Sequence, residues 1–155
     1  MTILYCTSNI IETTVMYLRE AGRERKECVV LWLAPRQSAA QDLRIVEVYR
    51  PLQHAKADQF WIPPEAMTAL MRHLRAKHLK LATQVHSHPC AAFHSPADDH
   101  WTIIRHIGAL SIVIPDFASH TDTENFTREA KVFSLSPDDR WLEVADIARV
   151  LEIEP

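Results

Sequence analysis

The histidines of this chain are concentrated in one stretch, and histidine is the side chain best suited to metal binding and proton transfer near neutral pH. Five of the nine histidines fall within residues 86–106. They are His86, His88, His94, His100 and His106. Any metal or acid–base chemistry is therefore expected in this stretch.

His86 and His88 flank Ser87 at the end of a predicted strand. In extended backbone, residues i and i+2 project to the same side, so the two imidazoles can bind one metal ion. Asp98, on the first turn of the helix predicted to follow, can supply a third ligand. Two histidines, one carboxylate and a water form an open zinc site, in which the water ionises near neutral pH. The spacing thus predicts a hydrolytic zinc centre.

Each part of this pattern also has an ordinary structural interpretation. A His-x-His pair is frequent by chance, and Ser95 with Asp98 has the spacing of a capping box at a helix start. Other zinc motifs are missing from the sequence, because no His-Glu-x-x-His occurs and Cys90 has no second cysteine three residues later. Cys90 is therefore expected to be a packed thiol. Surface or core histidines are expected at His94, His100 and His106.

Length and composition are those of one globular domain, predicted to span residues 1–155. The formal net charge of −3 at pH 7 removes the electrostatic argument for binding nucleic acid. Apolar runs such as VVLWLAP are too short to span a membrane, and no signal peptide is expected. Three cysteines do not make a disulfide framework, which favours a reduced, cytoplasmic setting. With only two glycines, a glycine-rich phosphate loop is excluded.

Hydrophobic periodicity and capping signals indicate helices and strands that alternate irregularly, as in an α/β fold with a mixed sheet and flanking helices. Helices are predicted over residues 9–21, 64–77, 95–107 and 145–151. Strands are predicted over residues 28–34, 43–50, 60–63, 79–85, 109–115, 130–135 and 141–144. A turn is expected at 36–42 and a long polar loop at 116–129.

The string HSHPCAAFHSPADD resembles the signature of the JAMM (JAB/MPN+) metalloproteases. That signature is His-Ser/Thr-His-Pro, a short loop, and then Ser-x-x-Asp. The family also has a glutamate far upstream at the start of a buried strand, and KECVVLWLA places Glu27 there. The order of predicted elements is similar to the family's along nearly the whole chain. The resemblance implies a cytidine-deaminase-like JAB/MPN sandwich and a zinc-dependent hydrolase.

The resemblance also implies roles for five residues. His86 and His88 resemble the imidazole ligands of Zn²⁺, and Asp98 resembles its carboxylate ligand. Glu27 resembles the general acid and base, and Ser95 resembles the residue that hydrogen-bonds the developing oxyanion. An intact set of this kind argues against a metal-free MPN scaffold that only binds partners.

The loop after His88 is one residue shorter than is usual in the family. Counting forward from His88 favours Asp99 as the carboxylate ligand, whereas counting from Ser95 favours Asp98. We favour Asp98, because ligand and serine share a helix turn of fixed geometry while loops absorb deletions.

Glu24 is a rival to Glu27 in the same charged turn, RERKE. We favour Glu27 because it directly precedes the apolar run, so a strand starting there would direct its side chain toward the site. The competing interpretations are a charge at a strand edge for Glu27 and a solvated surface charge for Glu24.

The stand-alone size, the loop FHSPADD and the strand LSIVIPDFA are most similar to small prokaryotic JAB proteins. Those proteins accompany homologues of ubiquitin-activating and ubiquitin-conjugating enzymes. The resemblance therefore implies that the substrate is a bacterial ubiquitin-like protein, released from a conjugate or a precursor. A sulfur-carrier protein or a small peptide is the alternative substrate. Trp101 is expected to line the pocket and the loop 116–129 to cover the substrate.

Overall fold

A six-stranded mixed sheet forms the centre of the computed structural model, which describes residues 1–37, 41–100 and 102–155. Within those residues the strands are, in chain order, β1 (Leu4–Thr7), β2 (Val29–Pro35), β3 (Leu43–Arg44), β4 (Glu47–Tyr49), β5 (His54–Ala55), β6 (Phe60–Trp61), β7 (Leu79–Ser87), β8 (Leu110–Ile114), β9 (Lys131–Leu135), β10 (Trp141–Glu143) and β11 (Leu151–Glu154). The α-helices are α1 (Ser8–Arg23), α2 (Pro64–Lys77), α3 (Pro96–His100) and α4 (Phe126–Glu129). Short 3-10 turns lie at Asp116–Ala118 and Ile147–Arg149.

The strands of the central sheet lie in the order β10–β9–β8–β7–β2–β4. β7 and β8 run parallel, and the other neighbours in this sheet are antiparallel. A second, parallel sheet has the order β11–β1–β3, and β5 pairs with β6 as a hairpin. This architecture confirms the predicted α/β class with a mixed sheet and flanking helices.

β2 separates two apolar layers, because alternate residues of a strand point to opposite faces of the sheet. Trp32 faces the layer that contains α1, and Leu31 faces the layer that contains Leu70 of α2. Every residue of β2 before Pro35 is fully buried. The strand that follows Glu27 is therefore held from both sides.

The helix predicted over residues 64–77 is confirmed as α2. It starts at Pro64, whose missing N–H is not needed in the first turn, and ends before His78 in the left-handed region (φ 54°). α1 is capped by Thr7, whose hydroxyl accepts the Ile10 N–H at 3.4 Å. None of the helices in the described residues combines the length and apolarity needed to cross a lipid bilayer.

The helix predicted over residues 95–107 is wrong in its length, since α3 ends at His100. Beyond α3, the Ile103 N–H donates to Gln84 Oε1 in β7 (3.1 Å) rather than to a helical carbonyl. This bond to the neighbouring strand keeps the helix from continuing. Trp101 lies outside the described residues.

Several other boundaries differ from the prediction. The single strand predicted over 43–50 is two strands, because β3 joins β1 while β4 joins β2. The loop 116–129 contains a 3-10 turn and α4. The helix predicted over 145–151 is a 3-10 turn followed by β11, which pairs with the unpredicted β1. The turn 36–42 is only partly described, since residues 38–40 lie outside the described ranges.

Candidate metal centre

The end of β7 carries two histidines into the interior. The His88 N–H donates to the Ile114 carbonyl (2.9 Å), so extended pairing with β8 continues past Ser87. His86 and His88 consequently project into the same space, with ring centroids 5.2 Å apart. Their side chains are 0% and 2% exposed. The spacing of the pair thus produces two adjacent, buried imidazoles.

Asp98 approaches both imidazoles from α3. Its Oδ1 lies 3.2 Å from Nε2 of His86, and its Oδ2 lies 3.0 Å from Nε2 of His88. Oδ2 also accepts the Ser95 N–H (2.7 Å), and Ser95 Oγ accepts the Asp98 N–H (3.1 Å). The pair is therefore a capping box, and the box orients the Asp98 carboxylate toward the histidines.

Glu27 reaches the same space from the segment that leads into β2. Its Oε1 lies 4.0 Å from Nε2 of His88, and its side chain is 2% exposed. The Glu27 N–H donates to the Lys56 carbonyl (2.8 Å), which ties this position to the β5–β6 hairpin. A carboxyl group so placed can exchange a proton with a molecule held beside His88.

Several polar atoms of this buried group have no hydrogen-bond partner among the described residues. They are Nδ1 of His86, Nδ1 of His88 and Oε2 of Glu27, while Nε2 of His86 has only the Asp98 carboxylate beside it, at 3.2 Å. Buried polar atoms are normally paired, so a cluster of unpaired ones indicates an additional bound group. One ligand atom from each of His86, His88 and Asp98 lies within 4.8 Å of the others. Two imidazoles and one carboxylate are ligands that zinc uses in open sites, so these residues fit a metal ion.

Burial and neighbouring charges shift the acidity of the two carboxyl groups in opposite directions. Burial, together with the charges of Asp98 and Asp58, raises the pKa of Glu27 to about 8. Burial also acts to raise the pKa of Asp98, but the imidazoles of His86 and His88 outweigh it and hold that pKa well below its usual range. Asp98 is thus an anionic ligand at neutral pH, while Glu27 can both take up and release a proton.

The raised pKa of Glu27 predicts that the metal-free protein loses stability between about pH 6.5 and 8. In this range the folded chain keeps the Glu27 proton, whereas the unfolded chain, with a pKa of 4.5, has released it. Because the folded state binds more protons, the free energy of unfolding falls as pH rises, by up to about 1.4 kcal/mol per pH unit. Between about pH 4 and 6.5, His94 instead makes the free energy of unfolding rise with pH, because burial lowers its pKa from 6.5 to about 4.

Urea unfolding of the chelator-treated protein checks this prediction, with Glu27→Gln as the matched control. Glutamine keeps the size of the side chain but cannot titrate, so its stability curve should be flatter over the same range. Curves that run parallel for the two proteins would contradict the prediction.

The rival carboxylates lie outside this group. Asp99 is on the solvent side of α3, where its side chain is 48% exposed and bound to Arg105 (2.8 Å). The side chain of Glu24 is 69% exposed and pairs with Lys26 (3.0 Å). The geometry therefore favours the two carboxylates preferred from the sequence.

The remaining histidines of the cluster divide between the site and the surface. His94 stacks on Trp141 with ring centroids 4.9 Å apart, and its ring lies 6.4 Å from that of His86. His100 and His106 are exposed, as expected for surface histidines. Only the first two histidines of the cluster thus belong to the group that fits a metal.

Two aromatic rings beside the histidines are missing from the sequence prediction. The ring of Phe60, in β6, lies 5.5 Å from His86. The ring of Phe93 lies 4.6 Å from His88, nearly perpendicular to it, and is half exposed at the mouth of the site. Phe93 stands within the signature string and could have been found there, whereas no sequence signal links Phe60 to the site.

The loop that follows His88 differs from expectation at one side chain. Cys90, predicted to be a packed thiol, is exposed, because the chain turns outward after the buried histidine. Its carbonyl accepts the Asp116 N–H (3.0 Å), and the His88 carbonyl accepts the Phe117 N–H (2.8 Å). The first two residues of the loop 116–129 therefore bond to the backbone of the segment around His88. That this loop covers a substrate stays a prediction.

Comparison with known proteins gives the same family as the motif. Residues 13–128 match the family described as prokaryotic homologs of the JAB domain. Over 112 residues the chain is 34% identical to the probable metalloprotease y4jG of Sinorhizobium fredii (strain NBRC 101917 / NGR234), which covers 70% of this chain and 68% of that protein.

Two solved structures share the fold at low sequence identity. The solution structure of protein DSY2949 from Desulfitobacterium hafniense has a TM-score of 0.70 and 17% identity, covering 98% of this chain and 93% of that one. A solution structure from Salinibacter ruber (strain DSM 13855) has a TM-score of 0.60 and 15% identity, covering 97% and 92%. At such identities the likeness concerns the fold alone. The family match and the curated relative confirm the resemblance found in the motif, and the chain belongs to the family of prokaryotic JAB-domain homologues.

Proposed function

We propose that this chain is a zinc-dependent peptidase. The observation that carries the proposal is the buried group of His86, His88 and Asp98, with the Glu27 carboxylate 4.0 Å from His88. The name of the 34% identical relative, a probable metalloprotease, supports the same chemistry. A hydrolase needs this combination, because one set of side chains must hold the ion and another must move protons.

His86, His88 and Asp98 would hold the ion. When bound there, zinc supplies a Lewis acid that polarises a carbonyl oxygen and brings the pKa of a water molecule close to neutrality. The capping box with Ser95 keeps the Asp98 carboxylate facing the two imidazoles. Phe60 and Phe93 border the histidines and limit the access of solvent.

Glu27 is the proton carrier of the proposed reaction. Its carboxylate takes the proton of the attacking water and later delivers it to the nitrogen of the leaving amine. In the metal-free chain, burial and the nearby acids raise its pKa to about 8, so this buried carboxyl can hold a proton as well as release one.

Ser95 is the proposed donor to the amide oxygen that becomes negative during attack. Its Oγ already accepts the Asp98 N–H, which fixes the direction of the hydroxyl. Because the oxygen accepts this bond, we assign the proton of the hydroxyl to a substrate oxygen. Donors of this kind act by stabilising charge that develops only in the transition state.

Ser95→Ala is expected to lower kcat by about 10²–10³-fold while zinc stays bound, because one oxyanion donor is lost. The bond from Ser95 to the Asp98 carboxylate comes from the backbone N–H and survives the substitution. Turnover and zinc content, measured together, check this, with the exposed Ser119→Ala as control. Turnover close to that of the wild type would show that the hydroxyl has no such role.

We further propose that the scissile amide follows the C-terminus of a ubiquitin-like protein, in a conjugate or in a precursor. The likeness of FHSPADD and LSIVIPDFA to small prokaryotic JAB proteins supports this substrate. Homologues of activating and conjugating enzymes would then be partners of the same system. A sulfur-carrier protein or a small peptide is the alternative substrate for the same chemistry.

A panel of three probes tests the substrate class. One is a bacterial ubiquitin-like protein with a short linear C-terminal extension, one is the same protein joined to a lysine ε-amine, and one is a sulfur-carrier protein with a linear extension. Zinc-loaded wild type is compared with Glu27→Gln. Cleavage of the lysine-linked probe supports the isopeptidase, cleavage of linear extensions alone supports the maturing peptidase, and no zinc-dependent cleavage contradicts the proposed substrate.

A further inference from the structure

Three consecutive backbone N–H groups, beginning at Glu27, are satisfied by three different parts of the fold. The Glu27 N–H donates to the Lys56 carbonyl (2.8 Å), the Cys28 N–H to Ser87 Oγ (3.1 Å), and the Val29 N–H to the Gln53 side chain (2.8 Å). None of these bonds belongs to the pairing of β2 with β4, which covers only Leu31 to Leu33. On the side of β7, Val29 pairs with His86 and the Cys28 carbonyl accepts the Ser87 N–H (3.0 Å). On the other side β4 does not reach this segment, so the segment that carries Glu27 is held there by the isolated contacts to Lys56 and Gln53.

On the side of Val29 that β4 does not reach, the Gln53 amide makes the hydrogen bonds that a paired strand would make. Its Oε1 accepts the Val29 N–H (2.8 Å), and its Nε2 donates to the Val29 carbonyl (2.9 Å) and to the Pro51 carbonyl (2.9 Å). A hydrogen-bonded antiparallel pair exchanges N–H and C=O in the same way. Only a side chain that offers both a donor and an acceptor at this reach can do so, and a carboxylate or an ammonium cannot.

The Gln53 contact lies close to Glu27, because only a short stretch of backbone separates Val29 from Glu27. Val29 is two residues after Glu27, whose Oε1 lies 4.0 Å from Nε2 of His88. On the other side, the next chain segment after Gln53 supplies the Lys56 carbonyl that accepts the Glu27 N–H. A misplacement of about 1 Å at a catalytic group can cost about 10²-fold in rate.

We propose that Gln53 is a positioning residue that holds the Glu27 carboxyl group in its place beside the metal ligands, 4.0 Å from Nε2 of His88. The expected effect on turnover rests on the proposed peptidase function. The expected effect on the backbone around Glu27 rests on the hydrogen bonds alone. Two readouts follow from this, one with substrate and one without.

The kinetic test is a double-substitution cycle between Gln53→Met and Glu27→Gln, on whichever probe of the panel the wild type cleaves. If Gln53 acts through Glu27, Gln53→Met lowers kcat by about tenfold or more at constant zinc content and nearly constant KM. The same change then adds no further loss in the Glu27→Gln background. A loss that multiplies in that background would overturn the proposal, because it would show a general structural role.

The structural test is amide hydrogen exchange on the zinc-loaded protein, which needs no substrate. In Gln53→Met, exchange at Glu27, Cys28 and Val29 should be about tenfold faster or more, as expected for the loss of one net hydrogen bond. Exchange at Ile112, in β8, should not change. Unchanged exchange at the three positions would overturn the proposal whatever the kinetics.

Two further variants keep the outcome interpretable. Gln59→Met, in the β5–β6 hairpin that follows Gln53, is the matched control, because the Gln59 contact to Lys56 uses its backbone carbonyl. Gln53→Glu keeps size and acceptor but removes the donor, so it replaces the methionine variant should that one fail to fold. If the wild type cleaves no probe, the proposed substrate fails, and the exchange measurement still decides whether Gln53 holds the Glu27 segment.

Discussion

Asp98→Ala is expected to lose zinc and, with it, hydrolytic activity, whereas Asp99→Ala keeps both. The Asp98 carboxylate is buried and lies 3.2 Å and 3.0 Å from Nε2 of His86 and His88. Removing a direct ligand should weaken zinc binding by at least the roughly 100-fold seen when supporting groups are removed. Asp99 points to solvent and binds Arg105, so its loss leaves the centre intact.

Zinc titration and turnover of the two alanine variants, side by side, check this assignment. Asp98→Asn is the control for folding, because an amide keeps the size of the side chain and an acceptor for the Ser95 N–H while removing the charge. A wild-type zinc content in Asp98→Ala, with zinc lost from Asp99→Ala, would instead mean that the shortened loop shifts the ligand by one residue.

Glu27→Gln is expected to keep zinc and lose about 10²–10⁴-fold in turnover. The amide has nearly the same shape, so it fits the buried position 4.0 Å from His88. It can neither take the proton of the water nor return one to the leaving amine. Since the three metal ligands are untouched, the loss should fall on kcat rather than on metal affinity.

Steady-state kinetics of Glu27→Gln, normalised to bound zinc, measure this loss, and Glu24→Gln is the matched control on the exposed side of the same turn. Most of the wild-type turnover remaining in Glu27→Gln would mean that another group moves the proton. Loss of zinc from the variant would mean that Glu27 acts as a ligand.

The parts of the site that could be predicted from sequence are those fixed by short-range geometry. A strand puts His86 and His88 on one side because its side chains alternate. A helix turn puts Asp98 opposite Ser95 because the capping box has one geometry. α2 was predictable for the same reason, since its proline start and its apolar spacing are local signals.

The parts that could not be predicted depend on contacts between distant segments. β1 pairs with β11 from the other end of the chain, and neither short strand has a sequence pattern that indicates which strand it pairs with. α3 ends early because Gln84, in β7, takes the Ile103 N–H. The Gln53 contact with Val29 was equally unpredictable, because no spacing in the sequence marks a side-chain amide that bonds to the backbone of a strand.

The zinc content of the purified protein tests the central claim most directly. Untagged protein, purified without chelator, is measured by inductively coupled plasma mass spectrometry beside the His86→Ala/His88→Ala double variant. The proposed centre predicts about one zinc per chain in the wild type and none in the variant. A wild type without zinc, even after zinc is added back, would contradict the peptidase and leave a metal-free binding scaffold as the better account.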